Sequence, residues 1–141
     1  MTEIFAFRNE FWFLSNFYPC RIFWQNRWWR GSEWAYQAWK TDSVEWQERI
    51  RNAPTARLAK HLGRIAPARL GMEDRRIPAM RSILKAKFVR PDLRTALAST
   101  GDAYLAEGNR HGDVFWGMVR RDGVWAGENH LGRLLMELRA E

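Results

Sequence analysis

Hydrophobic positions in the first thirty residues fall in short runs broken by polar pairs, a pattern of extended chain and loop rather than helix. Residues 4–7 suit a strand. Residues 21–24 and 27–30 flank Gln25-Asn26, which reads as a short hairpin. Helical spacing then takes over. Ser32 is placed to cap a helix running to about Lys40, residues 44–52 suit a second helix stopped by Pro54, and residues 55–62 a third, with Gly63 just past its end. Ile77, Met80, Leu84 and Phe88 recur at helical spacing, with Pro78 tolerable only in the first turn. Pro91-Asp92 breaks that helix, and Leu93 and Leu97 belong to a short successor ending at Gly101. Residues 104–107 and 114–116 are short strand candidates. Asn129 is expected to cap a last helix with Leu131, Leu134, Leu135 and Leu138 in one apolar stripe. The sum is an α+β chain: a single compact, mainly helical domain over residues 1–141 with a small β-sheet.

Composition changes this picture in two ways. Nine Trp and eight Phe in 141 residues can fill a core, each burying a large area, and most of the Trp are expected to do so. A formal charge of +7 points to an anionic partner, either a phosphorylated metabolite or nucleic acid, and the basic residues are spread along the chain rather than gathered in a tail. Cys20 is the only cysteine, so no intrachain disulfide can form and a reducing cytoplasm fits. One Cys and three His argue against a structural zinc site. No apolar run approaches the roughly 20 residues of a membrane span, and the first residues lack a signal-peptide pattern. The expectation is a cytoplasmic protein with no metal, no cofactor and no membrane partner.

Three segments mix polar residues with aromatics. In the first, Ser15 and Asn16 sit within FLSNFYP, where they can orient a ligand or simply satisfy a turn. In the second, SEWAYQAWK, helical spacing puts Glu33, Gln37 and Lys40 on one face with Tyr36 beside them. That row suits glycosidic chemistry, and spacing alone fits a solvated helix face as well. In the third, Asp113 and Trp116 flank the strand candidate of DVFWG, and Asn129 opens the last helix, as an anion site or as a cap. Arg8, Arg120 and Arg121 are candidates for phosphate contacts or ordinary surface charges.

The ordered combination FLSNFYP, SEWAYQAWK, DVFWG and GENHLGRLLMELR, joined by LAKHLG, MRSILKAKF and LASTGDAYLAEG, resembles the NADAR (YbiA-like) family of N-glycosidases over roughly residues 5–139. The resemblance implies a metal-free α+β fold and hydrolysis of an N-glycosidic bond in a nucleotide-like substrate. It makes Glu33 the catalytic glutamate, with Lys40 and Asp113 beside it. Trp116 and Asn129 match the family's aromatic and polar positions, and with Ser15, Asn16, Tyr36 and Gln37 from the residue pattern they make the expected substrate-binding set. Two substrates fit: ADP-ribosylated guanine in nucleic acid, toward which the +7 charge tilts, and phosphoribosylamino pyrimidine intermediates of riboflavin synthesis. Met72 and Met118 stand where members of the riboflavin-type branch carry Trp and an acidic residue. A non-catalytic basic nucleic-acid-binding module is the alternative of a different class; its affinity would fall steeply with salt and survive loss of Glu33.

Overall fold

The structure, a computed structural model, describes residues 2–141. In chain order its elements are β1 (Glu3–Ile4), a 3₁₀ helix (Asn9–Leu14), β2 (Ile22–Trp24), β3 (Arg27–Trp29), α1 (Ser32–Trp39), α2 (Val44–Arg51) and α3 (Ala56–Ile65). They continue with α4 (Met72–Lys87), α5 (Pro91–Ala98), β4 (Tyr104–Leu105), β5 (Gly108–Asn109), β6 (Met118–Arg121), β7 (Val124–Ala126) and α6 (His130–Ala140). This is the expected α+β class, rich in helix. The chain forms two compact units, residues 2–15 with 90–141, and residues 16–89.

In the 16–89 unit, β2 and β3 pair antiparallel with Phe23 opposite Trp28. Gln25 and Asn26 both take positive φ (51° and 64°), the backbone that a two-residue hairpin turn requires. Helices α1 to α4 pack around a core that includes Ile22, Trp24, Trp29, Trp34, Ile50, Met80, Ile83 and Leu84. Four of the nine Trp are buried (Trp24, Trp29, Trp34, Trp39), while Trp12 and Trp28 are about half exposed, so the expectation that most are core filler is too broad.

Three local readings are corrected here. Ser32 does not cap α1: Gly31 holds the N-cap position, and the Ser32 hydroxyl donates to Asn16 Oδ1 at 2.8 Å. Gly63 does not end α3 but lies buried inside it. Pro78 lies beyond the first turn, because α4 starts at Met72 behind left-handed Gly71 (φ 73°). Its missing N–H would have reached the Asp74 carbonyl, a loss made tolerable by exposure to water.

Lys87 at the end of α4 is fully buried, its Nζ 5.8 Å from the Tyr18 ring centroid and 5.2 Å from that of Phe88. Burial pushes its ammonium down from 10.5 to about 8, with Cys20 acting the other way. The folded state therefore releases the Lys87 proton at lower pH than the unfolded chain does. Between about pH 8 and 10.5 the unfolded state holds more protons, and stability rises with pH. Denaturant titrations should show the wild type gaining on the order of 3 kcal/mol relative to Lys87→Met across that window. Parallel curves for the two proteins would contradict the burial cost.

In the other unit, β1 pairs parallel with β4, and β5, β6 and β7 form a three-stranded sheet, parallel then antiparallel. β6 and β7 are joined through Asp122 and Gly123, both at positive φ (52° and 77°). Residues 114–116 are not a strand, contrary to the sequence pattern. Asp113 Oδ1 instead accepts the Phe115 and Trp116 N–H groups at 3.1 and 2.9 Å, which folds that segment into a turn. Leu131, Leu134 and Leu135 of α6 are buried as the stripe requires.

Candidate active site

Helix α1 is the organising element of the 16–89 unit. All eight of its residues are buried, including Ser32, Glu33 and Gln37, so the solvated-face alternative does not hold. Polar groups this deep must be paired with each other. They form a continuous chain: Lys40 Nζ donates to Gln37 Oε1 at 2.9 Å, and Gln37 Nε2 donates to Glu33 Oε1 at 3.4 Å. The amide thus links a cation to a carboxylate, with its orientation set by both neighbours. Tyr36 lies alongside, its ring centroid 5.9 Å from Lys40 Nζ.

Asn16 anchors the start of the same row. It is buried, its carbonyl accepts Glu33 N–H at 3.1 Å, and its Oδ1 accepts the Ser32 hydroxyl. This fixes the first turn of α1 and hence the position of Glu33. Asn16, Glu33, Tyr36, Gln37 and Lys40 are therefore brought together within one unit.

Two features here escaped the sequence reading. A Cβ at Gly63 would overlap Gln37 Oε1 and come within 2.8 Å of its Cδ, so α3 approaches the polar row at a distance only glycine allows. Lys60 and Arg64, three residues before and one after Gly63, are four apart and so share a side of α3 with each other. With Arg76 of α4 they act electrostatically on Lys40. Lys40 titrates below the ordinary lysine range: desolvation is the main cause, opposed by Glu33 and reinforced by Arg64, Lys60 and Arg76. The spacing of Lys60, Gly63 and Arg64 is legible in a helix; their proximity to Lys40 needed the tertiary fold.

The remaining candidates lie in the other unit. Ser15 closes the 3₁₀ helix, its N–H donating to the Trp12 carbonyl at 2.9 Å. Asp113 and Trp116 belong to the turn described above, braced by Asn109. That asparagine donates to the Asp113 carbonyl at 2.9 Å and accepts the Asp113 N–H at 3.0 Å. Asn129 occupies the N-cap position of α6 with positive φ (54°), but its side chain does not cap the helix. It donates to the Leu105 carbonyl at 2.9 Å and to Tyr104 Oη at 3.2 Å, and accepts from Glu107 N–H at 3.1 Å, tying the start of α6 to β4. Gly132 permits this, since a Cβ there would overlap the Leu105 carbonyl and meet Asn129 Oδ1 at 2.6 Å. Arg8, Arg120 and Arg121 are exposed in this unit. Among the described residues no cluster of three or more His, Cys, Asp or Glu is arranged to hold a metal, and no helix is long and apolar enough to cross a membrane.

The α+β fold holds a hydrogen-bonded carboxylate–amide–amine row on α1, and comparison with known proteins gives the class. The NADAR domain matches residues 4–141, and the chain belongs to that family. It is 33% identical over 144 residues to the N-glycosidase YbiA of Escherichia coli, covering 100% of this chain and 88% of YbiA. The NMR structure of that protein superposes with a TM-score of 0.82 over 98% of this chain and 82% of the other. The chain is 41% identical over 132 residues to the riboflavin biosynthesis protein VVA0006 of Vibrio vulnificus, covering 92% of itself but only 35% of that protein. It is 40% identical over 101 residues to the chloroplastic riboflavin biosynthesis protein PYRR of Arabidopsis thaliana, covering 67% of itself and 16% of PYRR. It thus spans about a third or less of the two riboflavin-named relatives and most of YbiA. N-glycosidases are hydrolases acting on N-glycosyl compounds, and the expected fold and family are both borne out.

Proposed function

We propose that this protein hydrolyses the bond between a base nitrogen and C1 of a phosphorylated ribose, with Glu33 and Lys40 as the reacting groups. The hydrogen-bonded row of buried Glu33 and Gln37 with half-buried Lys40 carries this reading. As the C1–N bond breaks, positive charge builds on C1 and the ring oxygen, and negative charge on the leaving nitrogen. The Glu33 carboxylate stabilises the cation and takes one proton from the incoming water, whose oxygen bonds to C1. The Lys40 ammonium, made more acidic by its surroundings, gives a proton to the leaving nitrogen. Transfer of the Glu33 proton to Lys40 restores both groups. Lys60, Arg64 and Arg76 supply positive charge near Lys40, suited to a sugar phosphate.

The names of the Vibrio and Arabidopsis relatives support a phosphoribosylamino pyrimidine of riboflavin synthesis as the substrate. The net charge of +7 favours a second reading, removal of ADP-ribose from guanine in nucleic acid. Both substrates, each with and without its phosphate next to the reacting ribose, should be incubated with the protein and followed by mass spectrometry. The expected result is cleavage of the phosphorylated pyrimidine, with kcat/KM falling about 100-fold or more when the phosphate is removed. Cleavage of the ADP-ribosylated guanine alone would move the assignment to the second reading, and cleavage of neither would remove both.

The lowered affinity of Lys40 for its proton also favours a covalent variant. In that route the Lys40 amine adds to C1 of the ring-opened sugar, the base nitrogen leaves with the proton from Lys40, and water then hydrolyses the imine. Borohydride added during turnover separates the two routes. A reduced sugar adduct on Lys40 establishes the imine, and its complete absence leaves direct attack by water.

A further inference from the structure

The opposite side of α1 carries a cavity that the polar row does not use. At about 100° of turn per residue, Ala38 and Trp39 project away from the side bearing Glu33, Gln37 and Lys40. They line a cavity of about 210 Å³ together with Trp24, Trp29, Arg27, Arg69 and Gln47, with Gln25 also contributing. Ligand pockets for drug-sized molecules run roughly 300–1,000 Å³, so this one suits a single small ring system.

Its chemistry is specific. The Trp24 and Trp29 indole N–H groups are engaged elsewhere, with Ser82 Oγ at 2.9 Å and the Trp24 carbonyl at 3.0 Å, which fixes both rings as walls. The Arg69 guanidinium lies 5.2 Å from the Trp39 ring centroid, and that of Arg27 lies 5.9 Å from the Trp29 ring centroid. Arg69 Nε is buried with no acceptor within hydrogen-bond reach. A buried donor left so costs the folded state its lost hydration, which an anionic or carbonyl oxygen in the cavity would recover. The other contacts of these cations are weak holds. Arg69 Nη2 meets the largely exposed Asp42 at 3.1 Å, and Arg27 Nη1 meets Glu48 at 3.6 Å. Gln47 Nε2 donates to the Thr41 carbonyl at 2.7 Å, which leaves its Oε1 to accept a ring N–H.

We propose that this cavity is a second ligand site, taking a small planar heteroaromatic anion whose ring lies among the three indoles and whose anionic group meets Arg69 and Arg27. The site differs from the one that hydrolyses substrate and does not depend on that assignment. It is coupled to it by the chain itself: Arg69 N–H donates to the Lys40 carbonyl at 2.7 Å, and Trp39 is the residue before Lys40. A bound ligand therefore acts on the end of α1 that carries Lys40.

The test is a titration of ¹⁵N-indole-labelled protein with orotate, a pyrimidine carboxylate, and separately with neutral uracil and with sulfate. Single Trp→Phe variants assign the resonances. Orotate should shift the Trp24, Trp29 and Trp39 indole signals while leaving Trp12 and Trp125 unmoved, with Kd at or below about 1 mM. Uracil and sulfate should each bind about tenfold more weakly or worse, and Arg69→Met should weaken orotate by a similar factor. Gln47→Leu, which keeps both arginines, should weaken orotate without changing the response to sulfate. The proposal is overturned if orotate moves none of the three indoles at about 10 mM, as for a cavity holding only water. It is equally overturned if sulfate matches orotate, or if folded Arg69→Met binds orotate as the wild type does.

Discussion

Replacing Glu33 by Gln should lower turnover by about 10²–10⁴-fold while leaving the fold in place. The side chain keeps its length, and its amide oxygen can still accept from Gln37 Nε2, now 3.4 Å from Glu33 Oε1. Asn16 holds the Glu33 backbone N–H whatever the side chain is. What disappears is the negative charge facing the developing cation at C1 and the ability to take a proton from water. Substrate binding should therefore change little, and the loss should fall on kcat. Circular dichroism and thermal melting check the fold, and steady-state kinetics the rest. Retained turnover in a folded Glu33→Gln protein would place the chemistry elsewhere. A melting temperature lower by tens of degrees would instead make Glu33 a structural group.

Gly63→Ala should be damaging out of proportion to one methyl group. The added Cβ overlaps the Gln37 amide oxygen, the atom that accepts from Lys40 at 2.9 Å. Either α3 backs away from α1 or Gln37 rotates, and both break the link between Glu33 and Lys40. Overpacking of this kind costs about 1–3 kcal/mol of stability. Turnover should drop at least as far as in Gln37→Ala. The double variant Gly63→Ala/Gln37→Ala separates the two effects, because it removes the Gln37 amide oxygen and Cδ that the new methyl meets and leaves only the Gln37 Cβ at 2.9 Å. Stability should recover in part in the double variant, and turnover should stay low. Additive losses of stability would mean that the methyl meets something other than Gln37.

What the sequence revealed and what it hid follow a physical line. Local features came through: the Gln25-Asn26 turn between alternating residues, Pro91 at the start of α5, and the leucine stripe of α6. The ends of helices were harder wherever a polar side chain had a distant partner. Ser32 looks like a cap until Asn16 takes its hydroxyl, and Asn129 looks like one until Leu105 and Glu107 take its amide. Gly63 reads as a terminator because its need for space comes from Gln37, a residue 26 positions away. Asp113 was placed beside a strand, whereas its carboxylate bends the chain into a turn. The Asp122-Gly123 hairpin is the reverse case: its Asp-Gly signal is local, and both residues take the positive φ such a turn needs.

The site divides in the same way. Helical spacing aligned Glu33, Gln37 and Lys40, but spacing cannot separate a buried row from a wet one. Burial was decided by Trp34 and Trp39 on the same helix and by α3 and α4 packed against it. The cations around Lys40 were invisible for that reason too, since Lys60, Arg64 and Arg76 come from α3 and α4. The sequence guesses for phosphate contacts, Arg8, Arg120 and Arg121, rested on charge alone and fell on exposed positions.

The central claim is cleavage of a C1–N bond, and quantifying both products of one reaction tests it most directly. Wild-type protein incubated with the phosphoribosylamino pyrimidine should release free base and ribose phosphate in equal amounts, with no metal or cofactor added and many turnovers per molecule. If the nucleotide instead remains intact while bound to the protein, or if Glu33→Gln releases base at the wild-type rate, the account is wrong.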